Sequence, residues 1–438
     1  MIVIEGKDYR AFDLFADYKP HEKQQAFHRS TARIKCCAAG TRGGKTYAGA
    51  REFVRKVYTD RAEKKGRLNY WIVAPTYALT DVAKEEIFDI LGAEIEDPKT
   101  SPLVKSWNGS KLRLVLKGNI YIEFKSAEKP ETLVARGLDG VWIDEAGRCA
   151  AVTWANLRAR IADRQGWALF TTTPMGKNWF YEEVYSLGLA GSKNKQEDYA
   201  SFHWTTADNT AIPALKREME IAKKVLPLRY FQRDWEASFE VFAGQIYDEF
   251  RREIHVITED KLPTRFKTVI AGKDWGFAEG HPGVTLVLGQ SESGKWYLIE
   301  EVVETRQLLD WWVETDKALM EKYNIEYFYA DPSEPEHIEY YRREDVPIME
   351  AKNAVAPGIQ SVAMMLHPID GKPSLYILDS CRVSIKEIEG YHYKEDRFGN
   401  IKEEPEKVDD HTCDALRYAL HTHLTTFEPE IFNMDVWG

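Results

Sequence analysis

The chain has 438 residues, 44% hydrophobic and 29% charged, enough for two or three domains with their own cores and too well mixed for a disordered chain. Its formal charge of -11 excludes a uniformly basic nucleic-acid coat, although a local basic groove remains compatible with it. Five cysteines without a C-x-x-C pair form neither a disulfide framework nor a zinc site and fit a reducing compartment. Charges interrupt the N-terminal stretch where a signal peptide needs an apolar core, and no run approaches the roughly 18 apolar residues of a membrane span. A soluble, intracellular protein is expected.

In chain order, the first half alternates short apolar strands with amphipathic stretches. The strands are IKCCAAG, LNYWIVAPT, LRLVLKG, IYIEFKSA, GVWIDEA and WALFTTTP. That alternation predicts a largely parallel sheet wrapped by helices. IPALKREMEIAKKVLPLRYFQRDWEASF reads as two helices broken near Pro227, a lid or connecting subdomain over about 205–245. The pattern becomes irregular around 241–266, which places a linker at 246–265 between a first domain, 1–245, and a second, 266–438. The second half gives the strands KTVIAGKDWG, GVTLVLGQ and KWYLIEEVVE, a helix LLDWWVETDKALMEKYN, the strand IEYFYADPS and a last helix HTCDALRYALHTHL. Strands first, then a helix, another strand and a late helix is the order of a ribonuclease-H-like domain.

GTRGGKT, from Gly40 through Thr41, Arg42, Gly43, Gly44 and Lys45 to Thr46, follows an apolar strand and precedes a helix. Backbone N–H groups of such a turn cradle phosphates, the lysine neutralises the outer ones and the threonine hydroxyl reaches Mg²⁺. The usual first glycine is replaced by Ala39, and Gly40 supplies the bend instead. About a hundred residues on, Asp144 and Glu145 end a second apolar strand, placed to hold Mg²⁺ and to deprotonate an attacking water. Gln24 or Gln25 in KPHEKQQAF could read an adenine edge, and the hydroxyls of Thr171–Thr173 could sense a γ-phosphate. Arg42 and Arg136 compete as the group that stabilises transition-state charge. ATP hydrolysis is the expected chemistry.

A second acidic set follows. Asp274 and Asp331 close apolar strands, and DDHTCDALRYAL puts Asp410 and Asp414 on one helical face with His411 close by. Hard oxygen ligands from three elements suit two Mg²⁺ or Mn²⁺ ions and in-line phosphodiester hydrolysis. Glu300 and Glu301 are possible further ligands.

The segments KQQAF, GTRGGKT, WIVAPTY, RGLDGVWIDEA, TTTP, WTTADN, GKDWGF, YADPSEP and HTCDALRYAL, in this order from about residue 20 to 423, resemble the large terminase subunit of tailed bacteriophages. The resemblance implies an α/β fold: an additional-strand conserved-glutamate P-loop ATPase domain followed by a ribonuclease-H-like nuclease. It implies that Gln24 contacts adenine, that Lys45, Thr46 and Asp144 bind phosphate and Mg²⁺, and that Glu145 is the catalytic base with Thr171–Thr173 as the coupling motif. Arg42 would act in cis or Arg136 in trans on a neighbouring subunit. Asp274, Asp331 and Asp414 would hold metal, with the choice among Asp410, His411 and Asp414 open at the last helix. Expected partners are double-stranded DNA, a portal protein, a small terminase subunit and further copies in a ring on the procapsid, in the host cytoplasm and without a membrane. The rival readings are a helicase-like ATPase–nuclease of repair or restriction, which needs a second RecA-like domain, and a catalytically inactive DNA-binding scaffold.

Overall fold

The computed structural model describes residues 2–4, 7–9, 18–94, 97–134, 136–239, 244–395 and 401–427. Two compact units emerge, one of residues 1–221 and 229–240, the other of residues 222–228 and 241–438. No helix among the described residues is long and apolar enough to cross a membrane.

The first unit is an eight-stranded sheet. Its strands are β1 (Ile34–Ala39), β2 (Leu68–Ala74), β3 (Val104–Asn108), β4 (Arg113–Leu116), β5 (Ile120–Ser126), β6 (Gly140–Asp144), β7 (Trp167–Thr172) and β8 (Tyr199–Trp204), in the order β8-β1-β7-β6-β2-β5-β4-β3. The pairs from β8 to β5 are parallel, whereas β4 and β3 add an antiparallel edge. The central strands are buried along their whole length, which is why they read as unbroken apolar runs. One charge interrupts β1. The Lys35 ammonium is fully buried, and it is accommodated because it meets the Glu52 carboxylate and the carbonyls of Phe27 and Ser30.

Helix α1 (Glu22–Arg29) precedes β1, and α2 (Lys45–Glu63) follows the glycine loop. α2 lies close on the sheet because position 49 has no side chain: a Cβ there would sit 2.8 Å from Trp142 and 2.9 Å from Thr171. Helices α3 (Tyr77–Ile90) and α4 (Ala151–Ala162) complete the cover, and Pro227 separates α5 (Leu215–Val225) from α6 (Leu228–Asp234), as the sequence predicts.

The second unit is a mixed seven-stranded sheet of β9 (Val256–Ile257), β10 (Thr268–Asp274), β11 (Gly283–Gln290), β12 (Trp296–Glu304), β13 (Tyr327–Ala330), β14 (Ile348–Glu350) and β15 (Leu375–Leu378), ordered β9-β15-β12-β11-β10-β13-β14. β11 runs antiparallel to β10 and β12, and β13 runs parallel to β10. The antiparallel centre sets this unit apart from the parallel sheet that a second RecA-like domain requires. Its helices are α7 (Leu309–Tyr323), α8 (Pro335–Arg343), α9 (Val355–Leu366), α10 (Arg382–Gly390) and α11 (His411–Phe427). α11 is buried along most of its length and packs on β10 at Gly272, where a Cβ would come within 2.0 Å of the Ala415 carbonyl oxygen. Only glycine admits a helix this close.

Two candidate sites, one at the strand tips of each unit

In the first unit, β1 delivers the chain into the loop Gly40–Gly44, with Arg42 and Gly44 in left-handed backbone conformation at φ 57° and 77°. Ala39 is the last strand residue and is buried, so the bend falls after it. Gly40 is there because a Cβ would lie 2.5 Å from the Trp235 carbonyl oxygen and 2.6 Å from the Thr206 hydroxyl. The loop is braced from outside: Trp204 Nε1 donates to the Gly43 carbonyl at 2.8 Å, Thr206 to the Thr41 carbonyl at 2.6 Å and Asn209 to the Arg42 carbonyl at 2.7 Å. All three braces come from WTTADN, a segment whose hydrogen-bonding part is invisible to spacing rules.

The strand tips supply the rest. Lys45 Nζ stands 2.9 Å from Glu145 Oε1, and Thr46 donates to Asp144 Oδ2 at 3.0 Å. Thr171 donates to the other Asp144 oxygen at 2.5 Å while accepting from Trp142 Nε1 at 2.7 Å. Glu145 has φ 50°, and its Oε2 faces the Thr173 backbone N–H at 3.4 Å and Arg148 Nε at 3.9 Å. Arg148 is not among the sequence-based candidates; its i, i+3 spacing from Glu145 is the available signal.

Burial, reinforced by the charge of Glu145, pushes Asp144 up to about 6. Burial would also raise Glu145, but the Lys45 and Arg148 cations outweigh it and hold the carboxyl below its ordinary value. Lys45 is held above its ordinary value because the two carboxylates outweigh its desolvation.

Gln24 is buried beside the loop, its amide donating to the Gly44 carbonyl at 3.2 Å and accepting from the His21 N–H at 3.2 Å. Gln25 instead donates to the Pro20 carbonyl and accepts from Arg29. Arg42 is exposed on the loop. Arg136 precedes the start of β6, at the end of that strand opposite Asp144, so within one chain it does not join the cluster. The loop, the helix N-terminus and the hard oxygens of Thr46 and Asp144 fit a magnesium-bound nucleotide.

In the second unit, the parallel β10–β13 register pairs Lys273 with Ala330, so Asp274 and Asp331 leave the sheet side by side. The Asp331 N–H donates to the Lys273 carbonyl at 3.1 Å, and Trp275 Nε1 to the Asp331 carbonyl at 2.8 Å. Asp331 accepts from the Ser333 N–H and hydroxyl at 3.1 and 2.7 Å. α11 brings up the third group: His411 Nδ1 lies 3.0 Å from Asp274 Oδ2. Asp414 is gripped by Arg417 Nη2 at 2.9 Å and by Lys407 Nζ at 2.8 Å, and Lys407 also stands 3.0 Å from Asp410.

Asp274 is pushed up to about 6, chiefly by burial and further by Asp414 and Asp331, against the opposing hydrogen bond from His411. That bond in turn raises His411 to about 9. Among the described residues no three carboxylate, imidazole or thiol groups are drawn into a closed metal cage. What exists is an open cluster of hard oxygens whose charges oppose one another, with Lys407 as a cation between two of them. That donor set fits divalent cations.

Glu300 and Glu301 do not join the cluster. Glu300 accepts from Lys322 and Tyr323, and Glu301 caps α10 through the N–H groups of Val383 and Ser384 at 2.8 Å. Sequence reasoning misses Lys407 and Arg417; the i, i+3 spacing of Arg417 from Asp414 on α11 is the available signal, while Lys407 comes from the segment before the helix.

A glycine loop between β1 and α2, facing acids at the tip of β6, together with a ribonuclease-H-like sheet carrying its own acids, defines a two-domain fold: a P-loop ATPase domain and a nuclease-type domain. Residues 36–210 match the family model "Terminase large subunit, T4likevirus-type, N-terminal", and residues 271–423 match "Terminase RNaseH-like domain". The chain belongs to the terminase large subunit family. It is 27% identical over 292 residues to the large terminase subunit of Thermus phage G20c, a match that takes in 59% of this chain and 58% of that protein's length. With the Escherichia phage T5 subunit it shares 25% identity over 368 residues, 80% of this chain and 79% of the relative. The large terminase of a thermophilic bacteriophage, solved in complex with ADP, superposes with a TM-score of 0.70 at 20% identity, covering 93% of this chain and 99% of that one.

Proposed function

We propose that this chain is the motor subunit that hydrolyses ATP to drive double-stranded DNA into a procapsid and cuts concatemeric DNA by metal-dependent phosphodiester hydrolysis. The observation that carries the proposal is the coexistence, in one chain of this family, of the Lys45–Glu145 and Thr46–Asp144 pairs with the Asp274–Asp331–α11 cluster. The ATPase part is residues 1–245, with 205–245 as lid and 246–265 as linker, and the nuclease part is residues 266–438.

In the first site, the backbone N–H groups of Arg42 and Gly44 and the α2 N-terminus hold the phosphates, as the ADP complex of the thermophilic phage protein encourages, while those of Gly40, Thr41 and Gly43 donate to the carbonyls of Trp204, Asp234 and Gly40 and shape the loop. Lys45 leaves Glu145 for the outer phosphates, which frees Glu145 to orient and deprotonate water. Thr46 and Asp144 hold Mg²⁺, which neutralises phosphate charge when bound. Thr171 keeps Asp144 oriented, Thr173 couples Glu145 to the strand end, and Gln24 sits where an adenine edge would be read. Arg42 is the cis candidate for transition-state charge; the place of Arg136 suits action on a neighbouring copy.

In the second site, Asp274, Asp331 and Asp414 hold Mg²⁺ or Mn²⁺, two ions in the full site, which polarise the phosphodiester and activate water when bound. His411 and Asp410 complete the surroundings, His411 by orienting Asp274. Portal protein, small terminase subunit and sister copies in a ring are the proposed partners, in the host cytoplasm. ATP turnover and plasmid nicking measured on Glu145→Ala and Asp274→Ala test the assignment. Each variant loses only its own activity; nicking retained by Asp274→Ala overturns the nuclease half.

A further inference from the structure

Next to the acidic cluster of the second unit is a cavity of about 380 Å³ in which Asp274 is itself a lining residue. Its walls are largely aromatic and aliphatic: Trp275, Phe277, Leu308 and Trp312, with Lys273, Gln307 and His337 as polar members. Phe277 is 53% and Leu308 70% exposed, an unusual outlay of apolar surface beside a charged site. His337 Nδ1 is buried without a hydrogen-bond partner, although its ring packs edge-on against Trp275 at 5.0 Å. Buried ring nitrogens normally find a partner, and this one has none, which leaves the His337 ring held by packing alone.

The cavity is built, not incidental. The Arg306 N–H donates to the Phe277 carbonyl at 2.7 Å, tying the loop after β10 to the loop before α7. Gly276 and Gly283 both lack room for a side chain: a Cβ at 276 would lie 2.2 Å from the Pro282 carbonyl oxygen, and one at 283 would lie 2.6 Å from Trp312. These contacts hold Trp275 and Phe277 in place.

Flat apolar walls, a few convergent polar atoms and a volume of this size suit a small planar heterocycle. The only such group that comes with a phosphodiester is a nucleobase. We propose that this cavity receives one unstacked base of the DNA strand being cut, stacked on Phe277 and hydrogen-bonded by Gln307. The inference rests on the nuclease reading of Asp274. It implies that the nuclease opens the duplex locally, so that unpairing is part of the barrier and mispaired sites are cut faster.

The test uses the full chain and a duplex carrying one 2-aminopurine in a mismatch. Two readouts are taken: 2-aminopurine emission on binding with Ca²⁺, and cleavage near the mismatch relative to elsewhere on the same strand with Mg²⁺ or Mn²⁺. Binding of the unsubstituted protein changes the emission, and cleavage concentrates at the mismatch. In Phe277→Ala the emission change disappears and the cleavage preference falls roughly tenfold, the loss of one base–aromatic stack; Phe277→Trp restores both. Because Phe277 is exposed, the alanine variant keeps its fold, which its melting curve verifies. Equal emission change and equal preference in Phe277→Ala overturn the proposal, and so does an absence of any emission change in the unsubstituted protein, which would leave the cavity to a protein segment. Failure of the nuclease reading is a different result: no metal-dependent cleavage at all, with Asp274→Ala indistinguishable from the parent.

Discussion

Replacing Asp316 by alanine should loosen the whole acidic end of β10. Lys273, the residue before Asp274, is buried with Asp316 at 2.8 Å, the two side chains 1% and 0% exposed. Burial, only partly offset by Asp316, depresses the Lys273 ammonium below its ordinary value. Without Asp316 the cation keeps the Thr285 hydroxyl at 2.9 Å and the faces of Trp312 at 4.0 Å, Trp275 at 5.2 Å and Tyr341 at 5.4 Å, and no carboxylate among the described residues within ion-pair distance. Breaking a buried pair from one side costs about 3–5 kcal/mol, which raises the opened population by about 150-fold or more. Hydrogen exchange of the amides in residues 268–330 reads that opening directly. Exchanging both partners, Lys273→Met with Asp316→Leu, removes the bare charge. It should cost only about 1–3 kcal/mol, for the Tyr341 hydroxyl that otherwise donates to Asp316 at 2.7 Å. A loss below about 1 kcal/mol for Asp316→Ala, or a double variant no better than the single, would refute this reasoning.

Ala39→Gly, which restores the commoner loop spelling, should leave ATP turnover unchanged and cost about 0.5–1 kcal/mol in denaturant melts, because glycine adds unfolded-state entropy in a strand. Gly40→Ala should abolish nucleotide binding in an equilibrium titration, since its Cβ meets the Trp235 carbonyl at 2.5 Å. Thr171→Val should strand both Asp144 Oδ1 and Trp142 Nε1 and lower stability by about 1–3 kcal/mol per unpaired group, read by denaturant unfolding. Asp274, raised from its ordinary 3.8 to about 6, binds its proton more tightly folded than unfolded, so metal-free stability falls as pH rises across that window. His411, raised from 6.5 to about 9, adds stability present below 6.5 that is lost as pH rises through 9. Asp274→Asn should therefore remove the lower fall and weaken the upper one in pH-dependent melts.

The parts of both sites that are legible in the sequence share a cause. Apolar runs ending in Asp-Glu, in Lys-Asp or in Ala-Asp mark strands whose tips leave the core, and the glycine loop has a fixed chemistry. β3 and β8 escape a reading by pattern because they are edge strands with mixed burial, as VKSWN and YASFHW show. α9 carries Pro357 and Gly358 in its first turn, which reads as a break; yet Pro is tolerated there, and Gly358 makes room for the Arg417 side chain. Glu300 and Glu301 look like strand-end ligands until α10 and α7 supply their partners. Arg417 and Lys407 each stand at i, i+3 from an acid they meet, a signal too common on charged helices to single them out, whereas the Phe277 cavity depends on contacts between distant segments that no local pattern encodes.

The central claim is that ATP hydrolysis at the glycine loop moves DNA. Uptake of DNA into procapsids bearing the cognate portal, followed by nuclease protection of the packaged DNA, tests it most directly. The parent chain should package with ATP, Asp274→Ala should still package pre-cut linear DNA, and Lys45→Ala should package none. DNA uptake by Lys45→Ala at the parent rate would contradict the account.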